Sequence, residues 1–243
     1  MPTEHRPIGA EASRLLGDSV GIDDFVTWSE WALARVGFRP SNCLALVASC
    51  RDELMSPFDG AVKGVWGGQF EVGALAGMVF LGRTGVQAAL SHTPGEDGRH
   101  RLVVFCFPHL GIDADGAFGP VQRRGISRAS SACGALIAFR DQLVAGDRSL
   151  ALDFDDVEQS LLRMRLSLML EPDVVPGLAE LTELARQAAV ADMGSYVDLA
   201  RGNEPVDAAY LSGIVVHLPD ALDVVASVAA RVVIDGVAVD LPH

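Results

Sequence analysis

Apolar runs of strand length alternate along the chain with longer segments of helical periodicity. Residues 42–49 and 101–107 are almost continuously apolar, which is typical of strands covered on both faces of a sheet. Near the C-terminus, residues 208–218 and 231–241 return to strand-like patterns. Within the last of these, the dipeptide Asp235-Gly236 between two apolar runs predicts a two-residue hairpin turn.

Helical spacing of apolar side chains recurs in four segments. They are residues 23–36, 126–144, 154–170 and 176–199. Residues 64–98 are unusually rich in glycine, so they form either a closely packed helix or loops that bring backbone close to a ligand. Strands separated by helices indicate the α/β class, with a mostly parallel central sheet flanked by helices and a C-terminal strand or hairpin addition.

The domain organisation follows from the lack of any fixed-period repeat or proline- or serine-rich linker in the sequence. We predict one domain over residues 1–243, in which residues 1–20 form an N-terminal arm and residues 150–243 a helical and strand extension. The first 20 residues lack the apolar core of a signal peptide, and no uncharged apolar run approaches the ~18 to 20 residues of a membrane span. We therefore expect a cytoplasmic protein with no membrane partner.

Composition narrows the range of partners further. The 243 residues are 49% hydrophobic and 21% charged, with a net charge of −13. A strongly acidic chain has no general affinity for phosphate backbones, so nucleic acid is excluded as an expected partner. Four cysteines in a chain without a secretory signal do not indicate a disulfide framework. Cys43 and Cys106 lie inside apolar runs, and we expect both to pack in the core.

The other two cysteines and one histidine are the candidates for chemistry. Cys50 and His109 each follow an apolar strand, and in open α/β sheets ligands bind beyond the carboxyl ends of the strands. Cys133, which we expect near the start of a helix, adds a second sulfur. Two thiolates and an imidazole suit zinc, and three protein ligands leave one position for water or substrate. For each cysteine, the alternative is a small buried apolar side chain.

Three further residues are candidates for catalysis. Asp52 lies two positions beyond Cys50, so its carboxylate can reach the open position of the metal or hydrogen-bond to a hydroxide there. It needs a cation to hold it ionised, and Arg83, between glycines in the sequence "GRTG", is the expected partner. His92 follows a helix-like segment and either lines the pocket and shuttles protons or lies in a surface loop.

The motifs "CRDE", "GALAG", "GRTG", "SHTP", "PHLGIDADGAFG" and "ACGAL" occur in this order. With them the chain resembles, over roughly residues 40 to 240, the limiting-CO2-inducible B/C family, whose members look like divergent β-type carbonic anhydrases. The resemblance implies a β-carbonic-anhydrase-like α/β fold, a homodimer, and a zinc ion bound by Cys50, His109 and Cys133. It places the family's aspartate at Asp52.

The function implied by this resemblance is reversible hydration of carbon dioxide to bicarbonate by a zinc-bound hydroxide. Ordinary β-type enzymes carry an arginine two residues after the aspartate, where this chain has Leu54. This departure motivates a second hypothesis, a catalytically inactive zinc protein that binds inorganic carbon or serves in assembly. A third is a thiol redox protein that uses Cys50 and Cys133 as a pair.

Overall fold

The computed structural model describes residues 5–95, 97–123, 125–126, 128, 130–219 and 223–241. The helices are α1 (Ala10–Leu16), α2 (Ile22–Ala34), α3 (Ser56–Trp66), α4 (Gly82–Leu90), α5 (Gly134–Val144), α6 (Val157–Ser167) and α7 (Leu178–Arg201). The strands are β1 (Ser19–Gly21), β2 (Leu44–Ser49), β3 (Gln69–Glu71), β4 (His100–Phe107), β5 (His109–Gly111), β6 (Pro120–Val121), β7 (Ser130–Ser131), β8 (Val206–His217), β9 (Val224–Ile234) and β10 (Val237–Val239).

Strands alternating with helices build one large mixed sheet, and this confirms the predicted α/β class. Its strand order is β1-β9-β8-β4-β2-β3, with β10 paired to β9 and β5 paired to β8. The pairs β2/β3, β2/β4, β4/β8 and β5/β8 are parallel, whereas β9 runs antiparallel to β1, β8 and β10. The carboxyl ends of β2 and β4 therefore meet at the same edge of the sheet.

Both faces of the central strands are buried, which explains their continuous apolar runs. In β4, Val103 and Phe105 face the cluster that contains apolar side chains of α2, α3, α5 and α6. The alternate residues Val104 and Cys106 face a second cluster with α4 and the C-terminal half of α7. Cys106 is fully buried there, and Cys43 is buried in the first cluster. Core packing of these two cysteines agrees with the prediction.

The C-terminal strands are integral to this sheet. Strand β8 pairs with β4 in its centre, although it comes from the segment predicted as an extension. The hairpin between β9 and β10 is also present, with Ile234 opposite Val237 and a positive φ at both Asp235 and Gly236. Positive φ at both central residues is the geometry that the Asp-Gly sequence predicts.

The helix predicted over residues 126–144 is shorter in the structure. Residues 130–131 form strand β7, which pairs with β6, and Cys133 has an extended backbone at the N-cap of α5. Pairing with β6 outweighs the local helical spacing, so the helix begins only at Gly134. Residues 127 and 129, also within the predicted helix, lie outside the described residues.

The glycine-rich segment of residues 64–98 combines loops with short elements, namely the end of α3, strand β3, one 3₁₀ turn and helix α4. A single turn of 3₁₀ helix, Leu75–Gly77, lies between β3 and α4, and Ala76 has a left-handed φ of 56°. The loop passes so close to the end of β2 that a Cβ on Gly73 would lie 2.0 Å from the carbonyl oxygen of Ser49. Only glycine can occupy this position without moving the backbone. The second of the two predicted alternatives, loops brought close to a site, therefore holds around Gly73, whereas residues 82–90 form a helix.

None of the helices in the described ranges combines the length and the apolar composition needed to cross a lipid bilayer.

Candidate metal centre

Cys50, His109 and Cys133 meet at the carboxyl edge of the parallel strands. Cys50 directly follows β2, His109 begins β5 immediately after Pro108 interrupts the strand, and Cys133 is the N-cap of α5. Their candidate ligand atoms all lie within 4.8 Å of one another, and all three residues are buried. The structure thus brings together the three side chains that the sequence predicts as ligands, although they come from three separate parts of the chain.

The two sulfurs form a closely coupled pair. Their Sγ atoms are 3.7 Å apart. The hydrogen bond from the Cys133 thiol outweighs burial and lowers the pKa of Cys50 to about 4. The same contact, together with burial, raises the pKa of Cys133 well above its ordinary value. One proton therefore leaves the pair readily and the second does not, so a buried cation is needed to hold both sulfurs as thiolates.

The Cys50 sulfur also accepts a backbone hydrogen bond. The N–H of Ala76, a residue with a left-handed backbone, donates to Sγ over 3.2 Å. The preceding amide, of Leu75, donates to the carboxylate of Glu158 over 3.1 Å, and Glu158 in turn pairs with Arg51 at 2.8 Å. Through Glu158, helix α6 thereby fixes the position of the Leu75–Gly77 turn that contacts the Cys50 sulfur.

The imidazole of His109 is bound on one side only. Its Nδ1 lies 2.9 Å from Nε2 of His217, and its Nε2 is buried with no hydrogen-bond partner. Nδ1 of His217 lies 2.9 Å from a carboxylate oxygen of Asp223, within ion-pair distance although the N–H is not aligned for a regular hydrogen bond. A buried ring nitrogen without a partner is unfavourable unless another group binds it.

Asp52 lies beside this cluster and pairs with an arginine. Its Oδ2 is 4.0 Å from Nε2 of His109. Arg123 donates two parallel hydrogen bonds to the carboxylate, one of 2.9 Å to Oδ1 and one of 2.8 Å to Oδ2. Burial alone would raise the pKa of Asp52, but the hydrogen bonds from Arg123 and from the Leu54 amide outweigh it and hold the pKa well below its usual range. The carboxylate is therefore ionised and fixed in orientation.

The pairing with Arg123 corrects the prediction of Arg83 as the partner of Asp52. Arg83 is exposed in the first turn of α4, and among the described residues it forms neither a hydrogen bond nor an ion pair with Asp52. Arg123 reaches Asp52 because the β6/β7 segment folds over the site. The guanidinium also donates a hydrogen bond of 2.7 Å to Oγ of Ser130 and one of 3.1 Å to the carbonyl oxygen of Ser131.

His92, the remaining predicted site residue, is exposed just beyond the C-terminal end of α4. Its Nδ1 lies 2.7 Å from the carbonyl oxygen of Ala88, and its ring packs near Phe70. It is absent from the residues that line the cavity beside Cys50. The structure therefore favours the surface position for His92 over the position in the pocket.

A cavity of about 740 Å³ opens beside Cys50 and Asp52. Its wall combines acidic and apolar side chains, among them Glu53, Asp59, Glu71, Val72, Phe80, Glu158 and Leu161. The cavity is large enough to admit small molecules to the Asp52 carboxylate, and neither Arg123 nor His109 is among its lining residues.

The donor set matches zinc. Two sulfurs and an imidazole nitrogen are ligands that Zn²⁺ prefers, and three protein ligands are typical of a catalytic site. The unpartnered Nε2 of His109 supports this match, because a ring nitrogen facing two thiols and a carboxylate has no other group to bind among the described residues. Cys50, His109 and Cys133 are the residues that would hold the ion.

The sheet and the Cys/His/Cys cluster with its aspartate define a β-carbonic-anhydrase-like α/β protein. The chain belongs to the family of limiting CO2-inducible proteins B/C beta carbonic anhydrases, which residues 19–234 match. The predicted family is thereby confirmed.

Two solved structures illustrate the similarity. The crystal structure of limiting CO2-inducible protein LCIB is 27% identical and covers 96% of this chain and 98% of its own, with a TM-score of 0.76. The crystal structure of PtLCIB4, a homolog of LCIB, is 22% identical and covers 95% and 98%, with a TM-score of 0.80. The second likeness shows the fold alone. No curated protein sequence matches the chain.

Sequence reasoning missed Arg123, His217 and Asp223. The sequence pattern could have indicated His217, because this histidine stands at the end of an apolar strand, and His109 likewise follows an apolar strand. Arg123 lies in a loop without periodicity, 71 residues from Asp52, and no local pattern marks it.

Proposed function

We propose that the protein is a carbonic anhydrase that interconverts carbon dioxide and bicarbonate, with one zinc ion held by Cys50, His109 and Cys133. The observation that carries this proposal is the convergence of the three buried ligand groups within 4.8 Å, beside an aspartate that an arginine holds ionised. Zinc with three protein ligands acts as a Lewis acid and lowers the pKa of a water molecule to about 7, which makes that water a nucleophile at neutral pH.

Asp52 and Arg123 orient the reacting water in this proposal. An ionised carboxylate can only accept hydrogen bonds, so Asp52 accepts an O–H and leaves an oxygen lone pair free to attack carbon dioxide. Arg123 keeps the carboxylate in one rotamer through its two parallel hydrogen bonds. Both side chains are largely buried, with 14% and 13% of their surfaces exposed, so bulk water screens the pair weakly.

The substrate is consistent with the charge of the chain and with the cavity. Carbon dioxide is neutral, so it needs no attractive field and a net charge of −13 does not oppose its entry. The apolar wall residues of the cavity, Val72, Phe80 and Leu161 among them, suit an apolar molecule. The acidic residues beside them favour release of the bicarbonate anion by repulsion.

The test combines metal analysis with a rate measurement. We expect one zinc ion per chain in the freshly purified protein and stopped-flow hydration of carbon dioxide well above the buffer rate. A zinc-loaded protein without hydration activity would contradict the catalytic proposal and favour the inactive zinc-binding alternative. A metal-free protein that loses the mass of two hydrogen atoms when a mild oxidant takes two electrons and joins the two sulfurs would favour the redox alternative, for which the 3.7 Å separation of the two sulfurs is the supporting observation.

The arginine that the sequence lacks near Asp52 had motivated the inactive alternative. Arg123 supplies a guanidinium for Asp52 from another part of the chain, because it pairs with the carboxylate through two hydrogen bonds. This supports the catalytic proposal. The redox alternative gives no role to His109 or to the Asp52–Arg123 pair, so we favour it less.

We also propose that the chain forms a homodimer, as its family resemblance implies. Support comes from exposed apolar side chains in the connection between α5 and α6 and at the start of α6, namely Leu150, Leu152, Phe154 and Val157, of which Phe154 is 83% exposed. Exposed apolar side chains grouped along the chain in this way favour an interface. Light scattering should give about twice the 25.7 kDa mass of one chain, and Phe154→Asp should shift the equilibrium toward the single chain. A wild-type mass of one chain at all concentrations would contradict the dimer.

A further inference from the structure

We infer that His217 and Asp223 are positioning residues that fix the tautomer of His109 and so present the lone pair of its Nε2 to the metal. The inference rests on the proposed function, because it concerns the same centre. It assigns roles to two residues that lie outside the three ligands and outside the Asp52–Arg123 pair.

The order of the groups determines where the protons lie. The Asp223 carboxylate, 2.9 Å from Nδ1 of His217, can accept a proton but not donate one. It therefore favours the His217 tautomer with hydrogen on Nδ1 and a lone pair on Nε2. That lone pair, 2.9 Å from Nδ1 of His109, accepts the N–H of His109. The Nε2 of His109 is then left as a lone pair, which is the form that binds zinc.

The opposite arrangement of protons leaves two groups unsatisfied. If His109 carried its hydrogen on Nε2, this buried N–H would have no aligned oxygen acceptor, since the Asp52 oxygen is 4.0 Å away, and only the Cys50 thiolate could attract it. Nδ1 of His109 and Nε2 of His217 would then face each other as two lone pairs at 2.9 Å, unless the hydrogen of His217 also moved from Nδ1 to Nε2. The buried surroundings make both defects unfavourable.

The sheet holds the two rings in place. His217 is the last residue of β8 and lies opposite Gly111 in the parallel pair with β5, the strand that begins at His109. The carbonyl oxygen of His217 accepts the N–H of Ile112 over 3.0 Å. The rings meet edge to face at 81°, with 0% and 1% of the two residues exposed. Residues locked in adjacent strands give a more precise orientation than residues in loops.

The experiment compares His217→Phe, which removes the acceptor at similar volume, with His217→Gln, which retains one in its amide oxygen. Zinc affinity is measured by competition with a chromophoric chelator. We expect a loss of about 10- to 100-fold for His217→Phe, the range found when an outer partner of a metal-bound histidine is removed. His217→Gln should recover most of the affinity, and Asp223→Asn should lose less than His217→Phe. The matched control His100→Gln, at the opposite end of β4, should bind zinc as the wild type does.

A second readout does not depend on the metal. Histidine ¹⁵N shifts of the metal-free protein report the tautomer directly, and we expect hydrogen on Nδ1 of His109 in the wild type and loss of this preference in His217→Phe. If that variant does not fold, Asp223→Asn and His217→Gln still test the order of protons. A wild type with hydrogen on Nε2 of His109, or a folded His217→Phe with unchanged affinity and tautomer, would overturn the inference.

The two proposals can fail separately. A wild type that binds no zinc but holds His109 with hydrogen on Nδ1 would contradict the proposed function and still support the assignment of the tautomer. A wild type that binds zinc and hydrates carbon dioxide, with His217 variants that bind the metal equally well, would overturn the role of His217 alone. Unchanged affinity in Asp223→Asn would remove Asp223 from the arrangement.

Discussion

Cys50→Ser is expected to lose the bound zinc and, with it, the hydration of carbon dioxide. The substitution keeps the shape of the side chain but replaces a sulfur whose pKa is lowered to about 4 with a hydroxyl that does not ionise at neutral pH. Even loss of an outer partner of a ligand weakens metal binding by about 10- to 100-fold, so loss of a ligand itself should exceed about 100-fold. Zinc content after gel filtration and the stopped-flow rate measure the effect.

The matched control for this variant is Cys43→Ser. Cys43 is also buried, but its sulfur lies near Asn42 at the start of β2, at the opposite end of the strand from Cys50. The same chemical change there should leave the zinc content at one per chain. Full zinc and full activity in Cys50→Ser would show that the sulfur is not a ligand, and the proposed centre would be wrong.

Arg123→Ala is expected to lower the turnover number by about 100-fold while zinc stays bound. Without the guanidinium, the Asp52 carboxylate loses both of its parallel hydrogen bonds and no longer has a fixed orientation. Misplacement of a catalytic group by about 1 Å can reduce a rate by about 10²-fold. Arg123→Lys keeps the charge but not the two-pronged contact, so its rate should fall between those of Arg123→Ala and the wild type.

Two arginine variants provide the comparison. Arg128 is exposed in the same segment, so Arg128→Ala controls for a general change in the loop. Arg83→Ala distinguishes the structural assignment from the expectation based on sequence. We expect near wild-type rates for both. Loss of activity in Arg83→Ala with normal activity in Arg123→Ala would show that the observed Asp52–Arg123 pair is not the one used in catalysis.

The three ligand candidates were predictable because each marks the end of a regular pattern. Strand β2 stops being apolar at Cys50, and Pro108 ends the next apolar run just before His109. Carboxyl ends of parallel neighbours meet at one edge, so the pattern of strands alone implies that these side chains converge. Cys133 was predicted near a helix N-terminus, and the structure places it at the N-cap of α5.

The partners of these residues were not predictable in the same way. The pairing of Asp52 with Arg123 depends on how an irregular segment folds over the sheet, and hydrophobic periodicity carries no information about such segments. The glycines around Arg83 favoured it as the partner of Asp52, but they belong to the start of α4. The role of His217 was not predictable for another reason. Its strand was recognised, but only the order of strands in the sheet shows that β8 lies beside β5.

The position of β8 bears on when the centre can be assembled during protein synthesis. All three ligand candidates have been translated by residue 133, and β2 is then available to pair with β4, but β8, which borders both β4 and β5, emerges only with residues 206–217. Until then, β5 lacks the strand beside it, and His109 lacks the ring of His217. A nascent chain halted before β8 would therefore contain every ligand but not the strand that orients the His109 imidazole, so maturation of the centre belongs to the finished polypeptide.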